Sequence, residues 1–153
     1  MMKPIYTFIM LMILSNLSWA QNQNPHYDKE LSDSLGADQY GMKPYILVIL
    51  KTGTAKIEDK EKVSELFRGH MENINKLAEE NKLIVAGPMG KNENAYRGIF
   101  ILNIKTKEEA AKLVELDPAV KEGLLAVDFY EWYGSAALPV YLETAKKITK
   151  ENP

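Results

Sequence analysis

The chain has 153 residues, 46% of them hydrophobic and 26% charged, and its 19 basic and 21 acidic side chains leave a net charge of −2. That near-balance gives no electrostatic footprint for nucleic acid. With no cysteine there are no disulfides, thiol nucleophiles or thiolate metal sites, so stability rests on core packing and oligomerisation.

Met1–Ala20 reads as a secretory signal peptide: Lys3 supplies the positive start, Ile5–Leu14 the apolar stretch, and Ser18-Trp19-Ala20 a small-x-small cleavage site. The apolar stretch is shorter than the ~20 residues of a transmembrane helix; an uncleaved anchor is the alternative. No cysteine follows the signal to carry a lipid. Cleavage predicts an exported protein, periplasmic or extracellular in a bacterium, with no membrane span left. The roughly 130 residues that remain suit one domain with one core.

Residues 21–42 form a leader and short arm. Gln21–Pro25 is polar, Tyr27–Leu35 suits a short helix stopped by Gly36, and Gly41 marks a further turn. Residues 43–134 carry the main domain. Pro44–Leu50 is a continuous apolar run ending at Lys51-Thr52-Gly53 and predicts a buried strand. A long helix follows from about Ile57-Glu58-Asp59, with Val63, Leu66, Phe67, Met71, Ile74, Leu77 and Ala78 on one face. Leu83–Ala86 is a second strand that Gly87-Pro88 closes in a tight turn, with the backbone of Ala86-Gly87-Pro88 lining a cleft as the alternative; Met89–Tyr96 is a hairpin loop and Gly98–Ile104 a third strand. Thr106 N-caps a second helix, with Glu109 completing a capping box, and that helix runs to about Leu116. Asp117-Pro118 opens a helical turn up to Gly123, and Leu124–Tyr133 is a fourth, aromatic-rich strand. In the tail, residues 135–153, Tyr141, Ala145 and Ile148 mark one stripe of a C-terminal helix.

The order β-α-β-β-α-β, with right-handed crossovers, predicts an α+β ferredoxin-like sandwich of four antiparallel strands with two helices on one face. Ile46–Leu50 and Ile99–Leu102 are apolar on both faces, so the second face of the sheet needs a cover. The same sheet of a second subunit supplies one, making a homodimer; the C-terminal helix folding across is the alternative.

His70, one of two histidines, falls on the apolar stripe of the long helix, three residues after Phe67 and four before Ile74. A titratable ring there must find a partner or border a pocket, because a buried unpaired polar group costs ~1–3 kcal/mol. Asp117 lies 47 positions away, but the two helices run side by side in this topology. A carboxylate beside an imidazole fixes the ring tautomer and suits it to general acid–base work. Asp followed by Pro is equally what an N-cap with proline at the first helical position looks like. The roles are compatible, since one oxygen can cap while the other meets His70. Arg97 is the substrate-binding candidate: it starts the third strand and can meet an anionic group, or form an edge salt bridge instead. Phe129, Tyr130, Trp132 and Tyr133 read as core and interface residues, with substrate walls as the alternative. One His and one Asp are too few for a metal site, and Lys51-Thr52-Gly53 lacks the glycine spacing of a phosphate loop.

Taken together, Gly69-His70-Met71, Leu83-Ile84-Val85-Ala86-Gly87-Pro88, Arg97-Gly98-Ile99-Phe100 and Asp117-Pro118-Ala119-Val120-Lys121-Glu122-Gly123 resemble the YCII-related domain in order and spacing over Pro44–Trp132. The resemblance implies a dimeric α/β barrel of ferredoxin-like protomers. It also implies a cleft holding a His–Asp pair, which maps onto His70 and Asp117 as catalytic residues. Some relatives act on small aromatic or lactone compounds, by dehalogenation or isomerisation. The signal, arm and tail depart from the usual small cytosolic version. The expectation is an exported enzyme doing cofactor-free proton transfer on a small organic molecule. The alternatives are a non-catalytic ligand-binding or dimeric interaction module and a purely structural His–Asp pair. A haem-degrading monooxygenase on the same barrel has only one cleft histidine behind it.

Overall fold

A computed structural model describes residues 24–150; the expected signal peptide lies outside them. Helix α1 (Lys29–Leu35) precedes strand β1 (Met42–Thr52), helix α2 (Lys60–Glu79), strands β2 (Leu83–Pro88) and β3 (Tyr96–Leu102), helices α3 (Lys107–Val114) and α4 (Pro118–Lys121), strand β4 (Leu125–Ser135) and helix α5 (Tyr141–Ile148). The sheet order is β2-β3-β1-β4, with every neighbouring pair antiparallel. This is the ferredoxin-like arrangement that the element order predicts.

Side-chain signals fix the ends of the elements. Asp59 caps α2 by accepting from the amides of Glu61 and Lys62 at 2.9 and 3.2 Å. Thr106 caps α3 through the Glu109 amide at 3.2 Å; the reciprocal bond of a capping box is not formed. Gly36 ends α1 at φ 68°, a left-handed cap that costs glycine little. All four strands run past their sequence signals at one end or both, β3 beginning at Tyr96 (and ending at Leu102, short of Ile104) and β4 continuing to Ser135. β1 pairs with β4 from Met42–Ser135 to Thr52–Leu125, and β2 continues through Gly87-Pro88 instead of turning there.

Alternation sorts the sheet into two faces. Ile46, Val48, Leu50, Phe100 and Leu102 point toward the helices and are buried with Leu77, Ala110 and Val114 as the core. Leu47, Ile49, Ile99 and Ile101 point the other way and are only half-buried. The C-terminal segment crosses from the β4 edge to the β2 edge, where the Tyr141 hydroxyl donates to the Ile84 carbonyl. Ile84 is the extra residue of a break in register between β2 and β3. Helix α5 buries none of its side chains and leaves Ile148 79% exposed. The arm is tied back by the Tyr133 hydroxyl, which donates to Asp38, and by the Ala136 amide, which donates to the Gly41 carbonyl at 2.9 Å. Among the described residues no helix is long and apolar enough to cross a membrane.

Candidate active site

Helix α2 presents His70 to the sheet, and α4 presents Asp117 from its N-terminal end. The two helices meet closely because residue 69 is glycine. A Cβ there would stand 2.8 Å from Cγ of Pro118, inside the distance at which carbon atoms pack. The approach lets His70 Nδ1 reach Asp117 Oδ2 at 2.6 Å. Asp117 is fully buried and His70 is 8% exposed.

Asp117 divides its two oxygens. Oδ1 accepts from the Ala119 amide at 3.0 Å and caps α4; Oδ2 accepts from His70 and, at 3.4 Å, from the Asn73 side-chain amide. A carboxylate offers only acceptors, so the neutral imidazole carries its proton on Nδ1. Nε2 makes no hydrogen bond among the described residues, and no buried side-chain polar atom there lacks a partner. Nε2 is therefore accessible. The ring is also fixed in plane, stacked on Phe100 (centroids 6.0 Å, 22°) and met edge-on by Phe67 (6.2 Å, 90°).

His70 opens onto a cleft of about 420 Å³ between α2 and the sheet. Phe67, Met71 and Ile74 wall it from the helix, and Leu50, Phe100 and Leu125 from the sheet. The stretch Ala86-Gly87-Pro88 is strand rather than the expected strand-ending turn, and it lines the cleft, the alternative reading of those residues. Pro88 can sit in the strand because β2 is a sheet edge, where a missing N–H need not break a ladder bond. Arg97 also lines the cleft. The edge salt bridge weighed for it is not formed, and its guanidinium has no ion-pair partner among the described residues. Among the expected aromatic core and interface residues, Phe129 packs on the core and Trp132 on Tyr45 at 5.7 Å, whereas Tyr130 and Tyr133 are exposed.

Two contributors were not singled out from the sequence. Asn73 follows His70 by three residues, hence shares its helix face. Gly69 sits mid-helix, where glycine costs ~1 kcal/mol relative to alanine; such a residue is a signal of close backbone approach.

The sequence profile of the YCII-related domain matches residues 45–132. The chain belongs to the YCII-related family. Among curated proteins, none matches it. Among solved structures, this YCII-related protein is similar to 5-chloro-2-hydroxyhydroquinone dehydrochlorinase from Burkholderia phenoliruptrix AC1100, solved in complex with 2,5-dihydroxybenzoquinone. The two share 20% identity at a TM-score of 0.42, over 57% of this chain and 92% of that one. His70, Asn73, Arg97 and Asp117 all fall inside the YCII-related segment, whereas Asp38 and Tyr141, which tie down the arm and the tail, fall outside it.

Proposed function

We propose that this protein binds a small organic molecule in the cleft and moves a proton on it without a cofactor. His70 acts as general base and then acid, and Asp117 orients it. Nε2 accepts a proton from the bound molecule while Nδ1–H stays on Asp117. The imidazolium then returns that proton to another atom of the same molecule or to a departing group, giving an isomer or an elimination product. The observation that carries this reading is the 2.6 Å contact between Nδ1 and Asp117, which leaves Nε2 as the accessible nitrogen of a ring bordering an apolar cleft. Export and homodimerisation belong to the same proposal. The Met1–Ala20 pattern supports the first. The half-buried apolar row Leu47, Ile49, Ile99 and Ile101 supports the second.

One contact favours a second reading. Oδ1 of Asp117 caps α4, so the pair could serve only to fix that helix. A small-molecule thermal-shift screen of wild type against His70→Ala separates the two. Ligands that stabilise only the wild type, at similar ligand-free stability, support the cleft as a site. A loss of several kcal/mol in His70→Ala with no ligand distinguishing the proteins supports the structural reading.

The pair has its own test in the ring nitrogens. In Asp117→Asn the amide oxygen is needed to cap Ala119, which turns the NH₂ toward His70 and forces the proton onto Nε2. The ¹⁵N shifts of His70 at alkaline pH read the tautomer: Nδ1–H in wild type and Nε2–H in the variant are expected. An Nε2–H ring in the wild type would remove the proposed base.

A further inference from the structure

Arg97 is aimed by a fault in the sheet. β1 and β3 pair regularly from Ile46–Leu102 to Leu50–Gly98, and then Lys51 meets Tyr96. Arg97 is the additional residue of a β-bulge. Strict alternation would send its side chain to the second face with Ile99 and Ile101. A bulge sets two residues against one and re-aims a side chain. Gly98 lies on the cleft side by alternation, with Phe100; the bulge lets Arg97 border the cleft beside it, as well as a second hollow that Arg97 shares with Met89, Lys91 and Tyr96. Gly98 cannot carry a side chain there, since its Cβ would lie 2.8 Å from the Gly87 carbonyl oxygen.

The cleft that Arg97 borders is otherwise apolar. Apart from His70 and Asn75 its side chains are hydrocarbon, thioether or absent, and no Asp, Glu or Lys lines it. A guanidinium with no carboxylate partner among the described residues, beside such a surface, is a donor fork open to a planar anion. A volume of about 420 Å³ lies toward the small end of ligand pockets, which run from roughly 300 to 1,000 Å³.

We infer that the ligand is a compact, largely apolar organic anion of about one ring in size. Its carboxylate or enolate pairs with Arg97, and its body lies against Phe67, Met71 and Phe100. The atom to be deprotonated then faces Nε2 of His70. This rests on the cleft being the substrate site, and it adds the class of substrate. Arg97 is the residue that selects charge, and the bulge is what makes that selection available.

Benzoate and its neutral isostere benzamide are the probes, titrated into the full-length wild type, Arg97→Gln, His70→Gln and the double variant, with the Gly87 and Gly98 amides followed by NMR. Benzoate is expected to shift both amides in the wild type and to bind more tightly than benzamide. Its affinity should fall about tenfold or more in Arg97→Gln, the scale of one charge-assisted hydrogen-bonded contact. Benzamide should be indifferent to that change, and Arg97→Gln should still weaken benzoate binding when it is made in the His70→Gln background. Arg97 is exposed, so the variant folds. Equal affinities for the two probes in the wild type overturn the inference, as does benzoate binding unaltered by Arg97→Gln, or shifts absent from both glycines. The His70 tautomer is read without any probe. A failed anion preference therefore leaves the proton-transfer reading standing, and a wrong tautomer leaves the anion preference standing.

Discussion

Gly69→Ala tests whether the close approach of α2 and α4 is what builds the His70–Asp117 pair. On an ordinary helix this substitution stabilises by ~1 kcal/mol, through propensity alone. Here the new methyl would start 2.8 Å from Cγ of Pro118, 3.5 Å from its Cβ and 3.7 Å from its Cδ. Carbon atoms pack at about 3.5–4.0 Å, so the proline ring must retreat by roughly 0.7 Å or more. Pro118 is covalently next to Asp117 and its ring cannot swing aside. If the retreat is passed on, the Nδ1–Oδ2 distance grows from 2.6 Å to about 3.3 Å, past the usual hydrogen-bond limit. Overpacking costs about 1–3 kcal/mol, and weakening a buried bond adds about 1 kcal/mol or more. Those losses exceed the propensity gain, leaving a net destabilisation of about 2 kcal/mol. At about 3 °C per kcal/mol for a domain of this size, Tm should fall by about 6 °C. Differential scanning calorimetry gives the Tm, and ¹⁵N NMR of His70 should show the Nδ1–H tautomer losing its dominance. A Tm raised by the amount that helix propensity predicts, with the tautomer unchanged, would refute the packing argument.

Three further outcomes are expected. Ile101→Lys places a charge on the half-buried second face, so it should convert the proposed dimer to monomer in analytical ultracentrifugation with little change in far-UV circular dichroism. A dimer that survives it would move the interface elsewhere. Tyr141→Phe removes the donor to the Ile84 carbonyl and should cost ~1 kcal/mol, with faster amide exchange confined to β2; exchange unchanged in β2 would show that the tail does not hold that edge. The Tyr133 hydroxyl holds the Asp38 carboxyl below its ordinary value near 3.8. The Tyr133–Asp38 tie is accordingly at full strength above that value and weakens as pH falls through the lower folded one, because the protonated carboxyl is a poorer acceptor. Limited proteolysis between residues 24 and 41 should accelerate in that acid range, and Tyr133→Phe should reduce the dependence, leaving what the Tyr40 and Met42 amides contribute.

Where the sequence could be read, the signals were local. The stripe from Val63 to Ala78 marks α2, Asp59 and Thr106 mark helix starts, and Gly36 marks a stop. The β-α-β-β-α-β order then dictated the sheet. What escaped the reading depended on pairing partners far along the chain. Gly87-Pro88 looks like a turn until β2 is known to be an edge strand. Arg97 reads equally as an anion contact or half of an edge salt bridge until β1 slips by one residue against β3 and leaves it at the cleft. Likewise, Gly69 stands in the Gly69-His70-Met71 motif with no packing reason until Pro118 is brought against it. Each of these three is set by tertiary contact, and each borders the site or positions its residues.

Capping and chemistry looked like rival explanations of Asp117, and comparison with the other caps separates them. Asp28 and Asp59 cap α1 and α2 through the same kind of carboxylate-to-amide bond, yet both are exposed. Capping therefore does not require burial. Asp117 is fully buried, and α4, with four residues, is the shortest helix to receive such a cap. Burying a carboxylate is expensive unless every oxygen finds donors. One amide satisfies Oδ1; Oδ2 depends on His70, with Asn73 contributing at a longer distance. An exposed aspartate would cap α4 without any of this. The cap accounts for the residue type at position 117, but not for its depth, nor for the imidazole held against it at the floor of an apolar cleft. Burial rather than capping is the feature that needs a function, and it favours the reading in which the pair works on a ligand.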